Sequence, residues 1–318
     1  MFNSLSTFDV FTNLPIGITK LEGVDNRQFL QGQLTCNLDT LSETHSQLGA
    51  HCDAKGKVLA ALRLVNIGTD ILTLQTIENT ESHLPQLAKY AVFSKVTITN
   101  NSLQYSCTGL AGKDIEQWLT NTFNISLISK DDAAVTSMGS IIKIDDNPLT
   151  PRYLVVSNEE QAKALAVSIG ETKHQVQPNE LWFALDCYRG VAKITPATQG
   201  EFVPQMLNLQ MVDAISFKKG CYIGQETVAR MHFRGLNKRA MFILRSSSLV
   251  ACSVGDNVEK KIGENWRNAG TIVSVQQTNN ETIACAILPS DFELSEILRI
   301  KDGSDIHFNV TKPDYYIE

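Results

Sequence analysis

No apolar run in this sequence approaches the roughly 20 residues that a membrane-spanning helix needs, and none is predicted. The opening residues, Met1-Phe2-Asn3-Ser4-Leu5-Ser6, lack the basic and long apolar stretches of a secretory leader, so a cytoplasmic location is expected. Cysteine is sparse and scattered: the seven residues at 36, 52, 107, 187, 221, 252 and 285 are odd in number and contain no CxxC pair. That spacing argues against a zinc ribbon, a thioredoxin-like motif or a self-contained iron–sulphur site, and no metal centre is predicted. Most of these thiols are expected to serve as small buried hydrophobes. Aromatic residues make up only 7%, and neither an RNA-binding fold nor an aromatic-rich RNA platform is evident. A formal net charge of −6 argues against a nucleic-acid binder that uses its whole surface. There is no internal repeat and no low-complexity linker.

What is present is an ordinary globular composition, 43% hydrophobic and 19% charged over 318 residues, long enough for two or three domains. One stretch stands apart: Lys218-Lys219-Gly220-Cys221-Tyr222-Ile223-Gly224-Gln225-Glu226. Glycines here permit backbone angles that other residues avoid. Lysines beside a thiol favour its thiolate. The run from Gln225 to Phe233 predicts a helix with Gly224 at its mouth, where backbone N–H groups can hold an anion. From Lys218 to Arg239 the sequence carries six Lys or Arg (218, 219, 230, 234, 238, 239) against one acid, Glu226. Such a local excess suits an anionic ligand or partner, and it equally suits a solvated basic face.

Along the chain, a strand is predicted from Gly17, then a helix through Leu34 that Asp25 is placed to cap. Residues 57–65 and 71–77 read as a strand pair turned by Asn66, Gly68 and Asp70. Helices follow near 80–89, 115–123, 159–168 and 179–188, with strands at 96–99 and 152–157. Asn179 is placed to cap the 179–188 helix and Gly190 to stop it. After Arg239 the pattern changes to strands at 241–244, 271–275 and 282–288, which predicts a small all-β domain, a barrel. The fold class expected is α+β with antiparallel sheets. His51, Cys52 and Asp53 are metal-ligating types, but consecutive residues of an extended strand point to opposite faces.

The Lys219–Glu226 run carries Lys-Gly-Cys-Tyr-x-Gly-Gln-Glu unbroken, and by it the chain resembles the YgfZ family, folate-binding relatives of the glycine-cleavage aminomethyltransferases linked to tRNA modification. Further blocks agree: Ala50–Lys57, Lys89–Val96, Phe202–Gln205, Asn208–Gln210 and Phe233–Arg239, with matches from about Phe29 to Trp266. The resemblance implies a three-part aminomethyltransferase-like fold arranged as a ring around a central folate cavity. It implies a folate-binding region of two α+β subdomains over residues 1–239 and a C-terminal β-barrel domain over 240–318.

It also implies tetrahydrofolate or a derivative as cofactor, held by Trp182, Tyr188, Lys219, Gly220, Tyr222, Gly224, Gln225, Glu226 and Arg234. Trp182 would stack on the pterin or benzoyl ring. Without the resemblance, a core tryptophan on a helix is the reading that Trp182 favours. Two positions depart from the family: Ile16 stands where a second folate-contacting tryptophan is expected, and Tyr188 stands where a glutamate would grip the pterin edge. A phenol does not make that two-point contact. Asp186 lies two residues earlier on a different helix face. A third departure is Ala60-Ala61, at the position where the aminomethyltransferases carry an aspartate. Alanine moves no proton and stabilises no cation, so aminomethyl transfer is not expected. The neighbouring Asp53 is the remaining candidate for that duty.

Cys221 has three readings: a redox or nucleophilic thiol, a transient ligand in iron–sulphur repair, or a structural filler between turns. Lys55, and the segment from Arg234 to Arg239, are placed to meet phosphate or carboxylate, on a folate tail or on RNA. By resemblance the chain supports assembly or repair of iron–sulphur enzymes such as the tRNA-thiolating radical enzymes, and through them tRNA methylthiolation. A tetrahydrofolate-dependent one-carbon transferase and a direct tRNA-binding protein are the alternatives. No membrane partner is expected, and the chain is expected to be a monomer.

Overall fold

The computed structural model describes residues 5–147, 150–278, 280–301, 303 and 306–316. Two compact units divide the chain. One takes Met1–Gln31, Asn37–Leu48 and Leu62–Asn179; the other takes Gly32–Cys36, Gly49–Ala61 and Glu180–Glu318. The strands form three sheets, and among the described residues no helix is long and apolar enough to cross a membrane.

In the first unit, one sheet has six strands: β1 (Asp9–Phe11), β7 (Tyr105–Ala111), β8 (Ala133–Thr136), β9 (Gly139–Asp145), β10 (Arg152–Asn158) and β11 (Gln175–Val176). Their order is β11-β1-β7-β10-β9-β8, antiparallel except for the β1–β11 pair. Helices α3 (Ile115–Phe123) and α4 (Glu159–Gly170) contribute to its core, through Ile115, Trp118 and Leu119 from one and Leu165 and Ile169 from the other. Phe8, Val10, Leu110, Leu127, Ile141, Tyr153 and Val155 complete the buried apolar cluster. Trp118 meets Phe8 and Phe123 edge-on, with centroids 5.7 and 5.6 Å apart. The start of α4 is fixed by a capping box, in which Asn158 accepts from the Gln161 backbone and Gln161 returns the bond.

A second sheet orders β3 (Gln47–Cys52), β4 (Val58–Ile67), β5 (Asp70–Thr76), β2 (Ile16–Glu22) and β6 (Thr97–Asn100). The β4–β5 hairpin forms where the turn residues predict it. Ile67 faces Asp70, Gly68 takes φ +58°, and Asn66 Nδ2 donates to the Gly68 carbonyl at 3.0 Å. Helices α1 (Asn26–Gln33) and α2 (Thr80–Ala88) also lie where periodicity places them. The expected cap at Asp25 is replaced by a longer-range bond: Asp25 Oδ2 accepts from the Lys95 N–H at 2.7 Å.

The second unit contains α5 from Glu180 (the helix spans Asn179–Tyr188), α6 (Gln225–Phe233) and a six-stranded C-terminal sheet. Its strands are β12 (Arg239–Ser246), β13 (Asn257–Ile262), β14 (Asn265–Thr278), β15 (Glu281–Pro289), β16 (Leu298–Ile300) and β17 (Asn309–Thr311), in the order β16-β13-β14-β15-β12-β17. Antiparallel bonds between Leu298 and Phe308 join the two ends, so the sheet closes into a barrel. Alternate residues of β12 (Ala240, Phe242 and Leu244) join Val258, Ile272, Ala286, Leu288 and Phe308 in the barrel core. Met241 and Ile243, on the other face, are also buried. Asn208, in the left-handed conformation and fully buried, pairs its amide with both backbone groups of Met241 at 2.8 and 3.1 Å, satisfying them beside β12.

Candidate functional site

The loop that carries Cys221 is fastened on both sides of it. Upstream, Thr35 receives the Ser216 N–H at its carbonyl (2.9 Å) and donates its hydroxyl to the Ala214 carbonyl (2.6 Å). The Lys219 ammonium then donates to the carbonyls of Leu34 and Cys36, at 2.8 and 2.6 Å, and lies 5.2 Å from the Tyr222 ring centroid. Downstream, the Ile223 N–H donates to the Gly32 carbonyl at 3.2 Å. Tyr222 is buried, and its burial raises its phenol pKa. Between these anchors Gly220 faces open space and Cys221 is exposed. Both lysines precede Cys221 in the sequence, but the Lys219 ammonium is turned to backbone carbonyls. Charge-assisted bonds of this kind are stronger than neutral ones, so Lys219 staples the loop to residues 32–36.

Just beyond, two glycines from distant parts of the sequence meet. Gly224, at φ +80°, precedes α6, and a Cβ there would stand 2.5 Å from the Asp53 carbonyl oxygen and 2.8 Å from Gly56 Cα. Gly56, at φ +76°, would bring its own Cβ 2.8 Å from Thr227 Cβ. Only glycine serves at both places, because each combines a left-handed backbone with a contact too close for a methyl group. The turn that presents Gly56 is held by Asp53, whose Oδ1 accepts the N–H groups of Lys55 (2.9 Å) and Lys57 (2.8 Å). Lys57 donates to the Glu201 carbonyl at 2.7 Å, while Lys55 is exposed and makes no ion pair among the described residues. Gln225 is half-buried and Glu226 exposed in the first turn of α6. The blocks Ala50–Lys57 and Lys219–Glu226 therefore form one unit of structure, with an accessible thiol beside it.

Most other thiols are withdrawn. Cys36, Cys52, Cys107, Cys187 and Cys285 are buried, and Cys252 is half-buried. Burial pushes Cys36 and Cys107 up to about 12. Burial also pushes the Cys52 thiol far above its ordinary range and lowers His51 to about 4, so the histidine stays neutral.

The remaining sequence-derived candidates lie on α5 and at the far end of α6. Trp182 is interior, with 2% of its surface exposed. Asp186 forms an ion pair with Lys193 at 3.0 Å, and the Lys193 ammonium also lies 3.9 Å from the Phe183 ring centroid. Tyr188 is half-buried, with the guanidinium groups of Arg189 and Arg245 each 5.8 Å from its ring centroid. Arg234 is exposed and terminates α6. Sequence reasoning did not single out Thr35, Leu34 or Cys36 as supports of the loop. No local signal marks them, because all three act through backbone carbonyls, Thr35 with its hydroxyl besides.

An α+β chain with three sheets, a closed C-terminal barrel and a glycine-packed loop before α6 belongs to a recognisable structural class. Its fold is that of the aminomethyltransferases. The structure of glycine cleavage system aminomethyltransferase T from Bartonella henselae superposes with a TM-score of 0.75, covering 99% of this chain and 88% of that one at 13% identity. Within that class the sequence is more specific: residues 237–303 match the YgfZ β-barrel domain. The tRNA-modifying protein YgfZ of Photobacterium profundum is 40% identical over 289 residues, covering 90% of this chain and 85% of its own. That of Escherichia coli is 36% identical over 290 residues, covering 91% and 87%. The chain belongs to the YgfZ family.

Proposed function

We propose that this chain is a folate-binding accessory protein that supports the assembly or repair of iron–sulphur enzymes, and through them the methylthiolation of tRNA. The observation that carries the reading is the joint one above: near full-length kinship with proteins named for tRNA modification, on a fold shared with an aminomethyltransferase. Tetrahydrofolate, when bound, would supply a one-carbon carrier.

The residues present suit a folate in part. Gln205 is buried, its Nε2 donates to the Val228 carbonyl at 2.7 Å, and among the described residues its Oε1 has no hydrogen-bond donor. Among those residues the Oε1 of Gln210 is likewise buried without a donor. Amide oxygens of this kind can accept from the N–H edge of a pterin. An acidic grip on that edge is less well provided, since Asp186 is engaged by Lys193 and position 188 is a tyrosine. Stacking on Trp182 requires the side chains that cover it to open.

Binding without aminomethyl transfer fits the same residues. Ala60 and Ala61 offer no proton-moving group, and the Asp53 carboxylate already holds two backbone N–H groups of its turn. The work of the site then rests on Cys221, presented on a stapled loop. The test is complementation of a strain lacking the gene, with methylthiolated tRNA nucleosides measured by mass spectrometry. Wild type is expected to restore them and Cys221→Ala to fail at equal protein level. Full restoration by Cys221→Ala removes the thiol from the function.

A further inference from the structure

The far end of α6 carries a surface whose aromatic rings the folate reading does not use. From Arg230 to Arg239 the chain places four cations (Arg230, Arg234, Lys238 and Arg239) without a single carboxylate, in a protein whose net charge is −6. All four are exposed, and among the described residues their side chains form no ion pair. Solvated basic residues are commonly interspersed with acids; this ten-residue segment holds none, and the nearest acid along α6 is Glu226, one turn before Arg230.

Aromatic residues are interleaved with these cations in the sequence, His232 and Phe233 between Arg230 and Arg234, and Phe217 beside Lys218. Phe217 and His232 stack with centroids 3.7 Å apart and planes inclined by 13°. Phe233 stands edge-on to both, at 6.2 and 5.0 Å, and is 72% exposed. The turn that follows is tight: Gly235 takes φ +59°, its N–H donates to the His232 carbonyl, and the Leu236 N–H reaches the Met231 carbonyl at 3.3 Å. Phe233 is thus held at the end of a helix by a closed turn, with Arg230 and Arg234 one helical turn apart beside it. Lys218 adds a further exposed cation next to Phe217.

We propose that this surface binds single-stranded RNA, with an unpaired base stacked on Phe233 and the neighbouring phosphates on Arg230, Arg234, Lys238 and Arg239. Cations alone would suit any polyanion. An exposed ring fixed among cations adds a partner with a flat face and a backbone of regular negative charge, which is an unpaired nucleotide segment. A duplex keeps its bases stacked and has no face to offer Phe233.

The test is fluorescence anisotropy on the full chain, with a labelled oligoadenylate RNA as probe, the same strand annealed to its complement as competitor, and a salt series. The single strand is expected to bind more tightly than the duplex. Phe233→Ala should weaken single-strand binding roughly tenfold while leaving the salt slope unchanged. Arg230→Gln should lower the slope of log K against log salt by about 0.7, since each neutralised phosphate of a single strand contributes that much. Equal binding of duplex and single strand, or no effect of Phe233→Ala, overturns the proposal. So does polyglutamate binding as tightly as RNA at the same salt, which would mark an acidic-protein dock. Phe233 is solvent-facing, so its removal should leave the unfolding midpoint in place. Tetrahydrofolate titration of Phe233→Ala separates this proposal from the folate reading, because either can fail alone.

Discussion

Replacing Gly224 by alanine probes the contact between the two loops at one atom. The new Cβ would meet the Asp53 carbonyl oxygen at 2.5 Å and Gly56 Cα at 2.8 Å, both of them backbone that has no rotamer to escape into. Holding alanine in the left-handed region costs about 1–2 kcal/mol. Relieving the overlap costs about 1–3 kcal/mol more. Alanine also restricts the unfolded chain, which returns about 0.7 kcal/mol. The net loss is about 3 kcal/mol.

Two glycines of the same region calibrate this. Gly235 has φ +59° and no atom within 4 Å of a built Cβ, so Gly235→Ala should show the backbone cost alone, about 1 kcal/mol. Gly220 has neither feature and should be nearly neutral. The assay is urea unfolding combined with native-state labelling of Cys52, which is 1% exposed and directly precedes Asp53. If the loop opens locally, Cys52 labelling in Gly224→Ala should accelerate roughly a hundredfold over wild type. A Gly56→Ala/Gly224→Ala double variant should lose less than the sum, because one separation relieves both clashes. If Gly224→Ala behaves like Gly220→Ala in both measurements, the loops do not meet as described.

Other outcomes follow from the same residues. Under native conditions Cys221 should react with a thiol reagent ahead of the buried Cys36, Cys52, Cys107, Cys187 and Cys285, as read by peptide mass spectrometry. Lys219→Met should cost about 3 kcal/mol by urea unfolding, since it strips a charged donor from the Leu34 and Cys36 carbonyls. His51, lowered from 6.5 to about 4 by burial, should make stability fall as pH drops from 6.5 towards 4. In that window the unfolded chain takes up a proton that the folded chain refuses, a loss of at most about 3 kcal/mol. His51→Gln should flatten that part of the stability profile.

Much of the fold is legible where local chemistry decides it. The β4–β5 hairpin announces itself through Asn66, Gly68 and Asp70, and α3, α5 and α6 through apolar spacing and their flanking residues. Strands β7 and β9 carry no clear two-residue alternation, since their sheet is buried at most positions, and they were not expected from the sequence. Asp25 looks like a cap by position, but its carboxylate serves Lys95, a partner set by tertiary structure.

At the site, the glycines at 56 and 224 are visible as residues, yet nothing local says that they touch. Lys219 reads as a neighbour of Cys221 because adjacency in sequence is all the sequence offers; its ammonium turns instead to two carbonyls. The low aromatic content hid the stack of Phe217 on His232, because three rings suffice for a local platform and composition averages them away.

The most direct test of the central claim is a calorimetric titration of tetrahydrofolate into the full chain, accompanied by the ligand-induced shift in unfolding temperature. The account predicts one saturable site and a stabilisation that grows with ligand concentration, as binding to the folded state alone requires. No saturable heat and no shift would contradict folate binding and leave the Cys221 loop without its proposed ligand.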